Sequence, residues 1–318
     1  MLWSMQLLVG ADGVVTTDKP QLSVGWIGVG KMGNPMATRL IEAGHALTIC
    51  DPMAENRASL VARGATVAAS PGDLAARCQI IFSTIPNDAV LSEMIFGAED
   101  RAGFLAQVAS GTIFVEMSTV SPQISAKVAA ALTLRGVAYL RCPISGSTAL
   151  ARSGKLTALA SGDAAAWDTV GPLMEVLAAR RFYLGPGEEA RYMKLVLNAL
   201  VGATASILGE ALVLGEKGGL TADQMMGVIS QSAVASPLMD YKREMIATMD
   251  FSPAFSVTQM MKDFTLITDA ARDKQVPMFV ANLILQQYTA ASNAGYSEQD
   301  FFALFDWMRQ TSGLGQDA

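Results

Sequence analysis

From Leu22 onward, short apolar runs alternate with amphipathic stretches, and the alternation predicts elements directly. Strands are expected at 22–28 (LSVGWIG), 46–51 (ALTICD), 79–86 (QIIFSTIP), 112–119 (TIFVEMST), 137–143 (VAYLRCP), 155–162 (KLTALASG) and 180–185 (RRFYLG). Between them, 31–44, 54–64, 121–136 and 163–179 carry helical spacing. Gly44, Gly64 and Gly136 act as stops, and Ser121–Pro122 supplies an N-cap and a proline at the first helical position. Repeated strand–helix–strand units imply an α/β fold, a Rossmann-type doubly wound and mostly parallel sheet with helices on both faces. After the Gly-Pro-Gly at 185–187 the strand pattern stops, and 221–232, 263–275, 277–295 and 297–310 read as helices. The expected organisation is a doubly wound α/β domain at 22–186 and an all-helical domain at 187–318. Residues 1–21 are expected to be a partly disordered extension and 311–318 a frayed tail.

Composition narrows the partners. Hydrophobic residues make up 51% of the 318 and charged residues 16%, which argues against disorder and for surface buried in a core or between copies. The net charge of −6, with no basic run, argues against nucleic acid. Cys50, Cys78 and Cys142 lack metal-ligand spacing and His45 is the single histidine, so no metal is expected, and reduced thiols point to the cytoplasm. The apolar run at 195–215 is long enough to suggest a membrane span, but Asn198 and Glu210 inside it favour a core or interface helix.

One motif carries a mechanism. WIGVGKMGNPMA places Gly28, Gly30 and Gly33 as G-x-G-x-x-G between a strand and a helix. Gly28 permits the turn, Gly30 lets backbone approach a pyrophosphate, and Gly33 lets the helix pack on the strand. Gly28, Val29, Gly30, Lys31, Met32 and Gly33 thus form the expected cofactor turn, with helix N–H groups facing the phosphates. Pro35 falls in the first turn, where no N–H is needed. Asp51, 23 positions after Gly28, stands where an acid meets the ribose hydroxyls and repels a 2′-phosphate. NAD is therefore expected over NADP, with Lys31 and Arg57 as the cations that could reverse the preference. His45 falls at the opposite end of the sheet from this turn, which removes it as a catalytic base. Lys194 and Asn198, four residues apart, share one face of an otherwise apolar helix.

Four separated segments, in order, resemble the β-hydroxyacid dehydrogenase family over about Leu22 to Trp307: GWIGVGKMGNPMATRL, RCPISGSTALARSGKLTALASG, GPGEEARYMKLVLNAL and MMKDFTLITDAA. The resemblance implies Lys194 as the catalytic lysine and Asn198 as the amide that orients substrate. It implies Ser145, Gly146 and Ser147 as the loop holding the substrate carboxylate, with Ser147 where many members have a second glycine. It implies Ile85, Pro86, Thr119 and Lys262 near the cofactor, with Thr119 also facing substrate, while Asp263 is expected to pair or cap. Imine reductases share the architecture but usually replace the lysine.

The expected function is hydride transfer between nicotinamide and a small 3-hydroxy carboxylic acid or the matching semialdehyde. A protein group must handle the hydroxyl proton, and a lysine in a low-dielectric cleft beside a second cation can do so. Reduction of imines or bulkier carbonyls, and dinucleotide binding without catalysis, are the alternatives. The apolar helical half is expected to pair copies as a homodimer or homotetramer.

Overall fold

Residues 22–98 and 101–315 are described by a computed structural model, and the expected extension at 1–21 and the end of the expected tail lie outside them. The chain runs β1 (Val24–Ile27), α1 (Gly33–Glu42), β2 (Leu47–Cys50), α2 (Ala54–Val61), β3 (Thr66–Val67), α3 (Pro71–Ala75) and β4 (Ile80–Ser83). It continues through α4 (Asp88–Phe96), the hairpin β5 (Gly97–Ala98) and β6 (Arg101–Ala102), α5 (Phe104–Gln107), β7 (Ile113–Glu116) and α6 (Pro122–Leu134). Then come β8 (Ala138–Arg141), β9 (Ile144–Ser145), α7 (Thr148–Arg152), β10 (Leu156–Gly162), α8 (Ala164–Leu177) and β11 (Ala178–Tyr183).

Apart from the hairpin, these strands form one sheet in the order β11-β10-β8-β7-β4-β1-β2-β3, with β9 alongside β10. From β3 to β8 every pair is parallel. β10 lies antiparallel to β8 and parallel to β11. The segment between β8 and β10 holds only β9 and the five-residue α7, so it returns without the crossover helix a parallel pair needs. The order reverses between β1 and β4, which opens a crevice at the carboxyl ends of those strands.

Successive strand residues face opposite sides, so Trp26 and Ile27 belong to different cores. Trp26 stacks on Phe82 at 5.0 Å and packs with Met36, Leu40 and Ile49 on one face of the sheet. Ile27, Ile81, Phe114 and Leu132 fill the other.

Among the described residues beyond β11, the regular structure is helical apart from one isolated bridge, Ser256 with Asp300. The helices are α9 (Glu189–Lys217), α10 (Ala222–Ile229), α11 (Pro237–Thr248), α12 (Val257–Asp273), α13 (Phe279–Ala291) and α14 (Leu304–Thr311). By length and composition α9 could cross a bilayer, but its buried face packs on α12, α13 and α14 in a third core that includes Leu208, Phe264, Tyr288 and Phe305. The expected fraying is corrected for residues 311–315 alone: α14 runs to Thr311, and Leu314 packs on this core with its N–H bonded to the Arg309 carbonyl. Leu314 is the apolar anchor that the glycine-rich tail composition concealed.

The sequence pattern missed the short helices α3, α4, α5 and α7, and gave no bounds for α11 within the half expected to be all-helical. Most of them carried a signal in their caps: Ser70, Asn87, Ser147 and Ser236 each accept a hydrogen bond from an amide three residues on. Helices this short show too few turns for a periodicity to register.

Candidate active site

The glycine turn has the shape its residues require. Gly28 sits at φ +79°, and a Cβ on it would lie 2.2 Å from the Thr84 carbonyl oxygen. A Cβ on Gly33 would lie 2.1 Å from the Gly28 carbonyl oxygen, so α1 could not rest on β1. At Gly30 the nearest atom to an added Cβ is 3.9 Å away, which leaves the backbone open on the crevice side. That open cradle, followed by the N-terminus of α1, fits a pyrophosphate. Val29 is buried, Lys31 exposed and Met32 partly buried against the core. The Thr84 hydroxyl donates to the Gly28 carbonyl at 2.5 Å and accepts from Trp26 Nε1 at 2.9 Å, which ties the turn to β4.

Asp51 directly follows β2 and is 8% exposed. One carboxylate oxygen accepts the Val29 N–H at 2.8 Å, and the other accepts the Met53 N–H at 2.9 Å and Asn56 Nδ2 at 3.1 Å. Three of about four acceptor positions are thus in use. Asp51 closes the glycine turn itself, a role its sequence position alone did not disclose, and keeps acceptor capacity for a ribose hydroxyl. Beside it, burial and then the Asp51 charge push the Cys50 thiol up to about 11, so it stays protonated. Arg57 lies on α2, partly buried.

The loops after β4 and β7 form the next wall. The Ile85 N–H donates to Ser118 Oγ at 2.8 Å, joining the loops, and Pro86 is exposed beyond. Across from them Lys262, on α12, donates to the Thr119 carbonyl at 2.8 Å and the Pro86 carbonyl at 3.4 Å. The structure therefore brings Ile85, Pro86, Thr119 and Lys262 together.

Lys194 and Asn198 lie one turn apart on α9, as their spacing requires. Asn198 is buried and donates through Nδ2 to Asp263 Oδ2. Asp263 is fully buried; its Oδ1 lies 3.0 Å from Lys262 Nζ yet accepts no aligned hydrogen bond. Lys194 is partly buried and, among the described residues, has no hydrogen bond or ion pair of its own. Burial holds its pKa below the ordinary lysine value of 10.5, the nearby Asp263 carboxylate opposes that shift, and Lys262 reinforces it. An amine in that state can take or give a proton. Gly202 continues the same face, and a Cβ there would fall 2.1 Å from Phe264 Cε2, so its absence brings α12 and Asp263 up against α9.

Ser145 ends β9, Gly146 adopts φ +137° in the exposed turn, and Ser147 caps α7, accepting the Leu150 N–H at 3.5 Å. No direct bond joins this loop to Lys194 or Asn198 among the described residues. His45 lies before β2, at the amino end of the parallel strands and away from the glycine turn. Among the described residues no cluster of His, Cys, Asp or Glu could hold a metal ion. The sequence reading gave no role to Arg191 or Glu116. Both are buried in one network that reaches α9 three residues before Lys194, and a charged residue in the predicted strand 112–119 was the signal.

Two family profiles cover most of the chain. The NAD-binding domain of 6-phosphogluconate dehydrogenase matches residues 23–185, and the NAD-binding domain of NADP-dependent 3-hydroxyisobutyrate dehydrogenase matches 189–308. A 2-(hydroxymethyl)glutarate dehydrogenase from Eubacterium barkeri is 31% identical over 92% of this chain and 97% of its own. An NAD-dependent L-serine dehydrogenase from Pseudomonas aeruginosa is 32% identical over 91% and 99%. Among solved structures, a 3-hydroxyisobutyrate dehydrogenase from Salmonella typhimurium superposes with a TM-score of 0.81 at 27% identity, covering 90% and 99%.

Proposed function

The chain belongs to the β-hydroxyacid dehydrogenase family and is an oxidoreductase acting on CH–OH groups, and on that premise we propose that it interconverts a small 3-hydroxy carboxylic acid and its semialdehyde, with Lys194 as acid and base. A nicotinamide dinucleotide bound at the glycine turn supplies the hydride acceptor or donor. Lys194 takes the hydroxyl proton in oxidation and returns it in reduction, where its positive charge also stabilises the developing oxyanion. Asn198, held by Asp263, orients the hydroxyl, and the turn at Ser145, Gly146 and Ser147 receives the carboxylate.

The carrying observation is the unpaired amine of Lys194, driven below its ordinary pKa, while Asn198 is engaged by Asp263 and Lys262 by the Thr119 carbonyl. Lys194→Ala is expected to lower kcat by about a thousandfold. NADH affinity, followed by fluorescence, stays within about twofold because the glycine turn is untouched. A variant with near-normal turnover would refute the assignment. A panel of hydroxy acids, semialdehydes and cyclic imines separates this reading from an imine reductase and from a protein that only binds dinucleotide.

NAD is the proposed cofactor, supported by the Asp51 carboxylate at the end of β2, which disfavours a phosphate on the ribose. The ratio of kcat/KM for NAD over NADP is expected to exceed about tenfold, the effect of about 1.4 kcal/mol. Asp51→Asn narrows that ratio; a wild-type preference for NADP would overturn it.

A further inference from the structure

Arg191 is 1% exposed, three residues before Lys194 on α9. A guanidinium so placed needs every donor satisfied. Nε donates to Ser125 Oγ at 3.2 Å, Nη1 to the Ser118 carbonyl at 2.8 Å, and Nη2 to Tyr139 OH at 3.0 Å and to the Glu116 carboxylate. Glu116, the last residue of β7, is fully buried. Its other oxygen accepts the Ser118 N–H at 2.9 Å and the hydroxyl of Ser83, the last residue of β4, at 3.4 Å. Ser118 Oγ in turn accepts the Ile85 N–H. One guanidinium thus ties the loops after β4 and β7 to the turn of α9 that carries Lys194.

We propose that Arg191 is a positioning residue, one that sets the distance between the proton-transferring amine and the two loops that face the cofactor. The argument rests on the reading of Lys194 as acid and base. Stability alone does not account for the network, because a buried ion pair is commonly no more stabilising than an apolar pair of the same volume. It supplies direction instead. The planar fork of arginine reaches Glu116, Ser118, Ser125 and Tyr139 at fixed angles, and a lysine ammonium cannot. A displacement of about 1 Å between reacting groups costs on the order of a hundredfold in rate.

The test is Arg191→Lys, assayed as full-length protein at saturating substrate and cofactor. The expected result is a fall in kcat of about ten- to a hundredfold, with NADH affinity within about twofold of wild type. Ile246→Val, in the core of the helical half, controls for loss of stability and is expected to keep its kcat. Added to Lys194→Ala, Arg191→Lys is expected to leave the residual rate unchanged, since the group it positions is gone. If Arg191→Lys does not fold, the neutral pair Glu116→Gln with Arg191→Met takes its place, expected to be folded and slow. The proposal is overturned if the variant that folds keeps kcat within about twofold, or if it loses NADH affinity as much as kcat, or if it slows Lys194→Ala further. Full turnover by Lys194→Ala alone would instead overturn the reading of the site, so the two failures are distinguishable.

Discussion

The proposed acid and base role requires Lys194 to be neutral to accept a proton and charged to donate one, so the groups around it set the direction in which pH acts. In oxidation kcat is expected to rise as pH climbs through the Lys194 pKa. In reduction it is expected to fall through the same pKa. Burial and Lys262 hold that value below 10.5, while Asp263 opposes them. Lys262→Met removes a repelling cation, so both limbs are expected to move to higher pH. Asp263→Asn removes an attracting charge, so they are expected to move to lower pH. Profiles of kcat against pH with saturating substrate check both signs, and a shift of either variant in the reverse direction would show that another group titrates.

Among the elements, α9 does the most to assemble the site. Its apolar composition made it legible as a helix, and the spacing of Lys194 and Asn198 made their shared face legible too. Gly202 continues that face, and its missing Cβ leaves a notch. Phe264 of α12 fills that notch, and Asp263, its neighbour, meets Asn198. Gly202→Ala places a methyl group where the ring lies, so overpacking costs about 1–3 kcal/mol. Against that, helix propensity returns about 1 kcal/mol. The expected outcome is a net loss of stability in urea unfolding together with a lower kcat, and Phe264→Leu in the same chain restores part of both. A variant as stable and as active as wild type would mean that α12 shifts freely and that its contact with α9 is not specified.

For the whole molecule, the helical half leaves apolar side chains in solvent. Leu200, Ile207 and Leu214 recur every seven residues along α9, and Phe279, Val280 and Leu283 are exposed on α13, which packs beside it. A seven-residue repeat is the spacing by which one helix meets another along a seam. We propose that two copies pair through these faces. Sedimentation equilibrium at micromolar concentration is expected to show at least a dimer, and Leu200→Glu with Leu214→Glu to show a monomer. A wild-type chain that sediments only as monomer would refute the pairing.

Local chemistry by itself determined much of this protein. The strand and helix periods gave the doubly wound sheet, and Gly28, Gly30 and Gly33 gave the glycine turn proposed to hold the dinucleotide, because each of these depends on residues near one another in the chain. The spacing of Lys194 and Asn198 followed from helical geometry alone. Only the tertiary structure decided that β10 runs against β8, that Asp51 closes the turn it serves, and that Asp263 grips Asn198. It also decided that Arg191 and Glu116, 75 residues apart, meet in the interior. Such pairings carry no period and no local motif. They are fixed when packed elements exclude water and buried polar groups must find their partners across the fold.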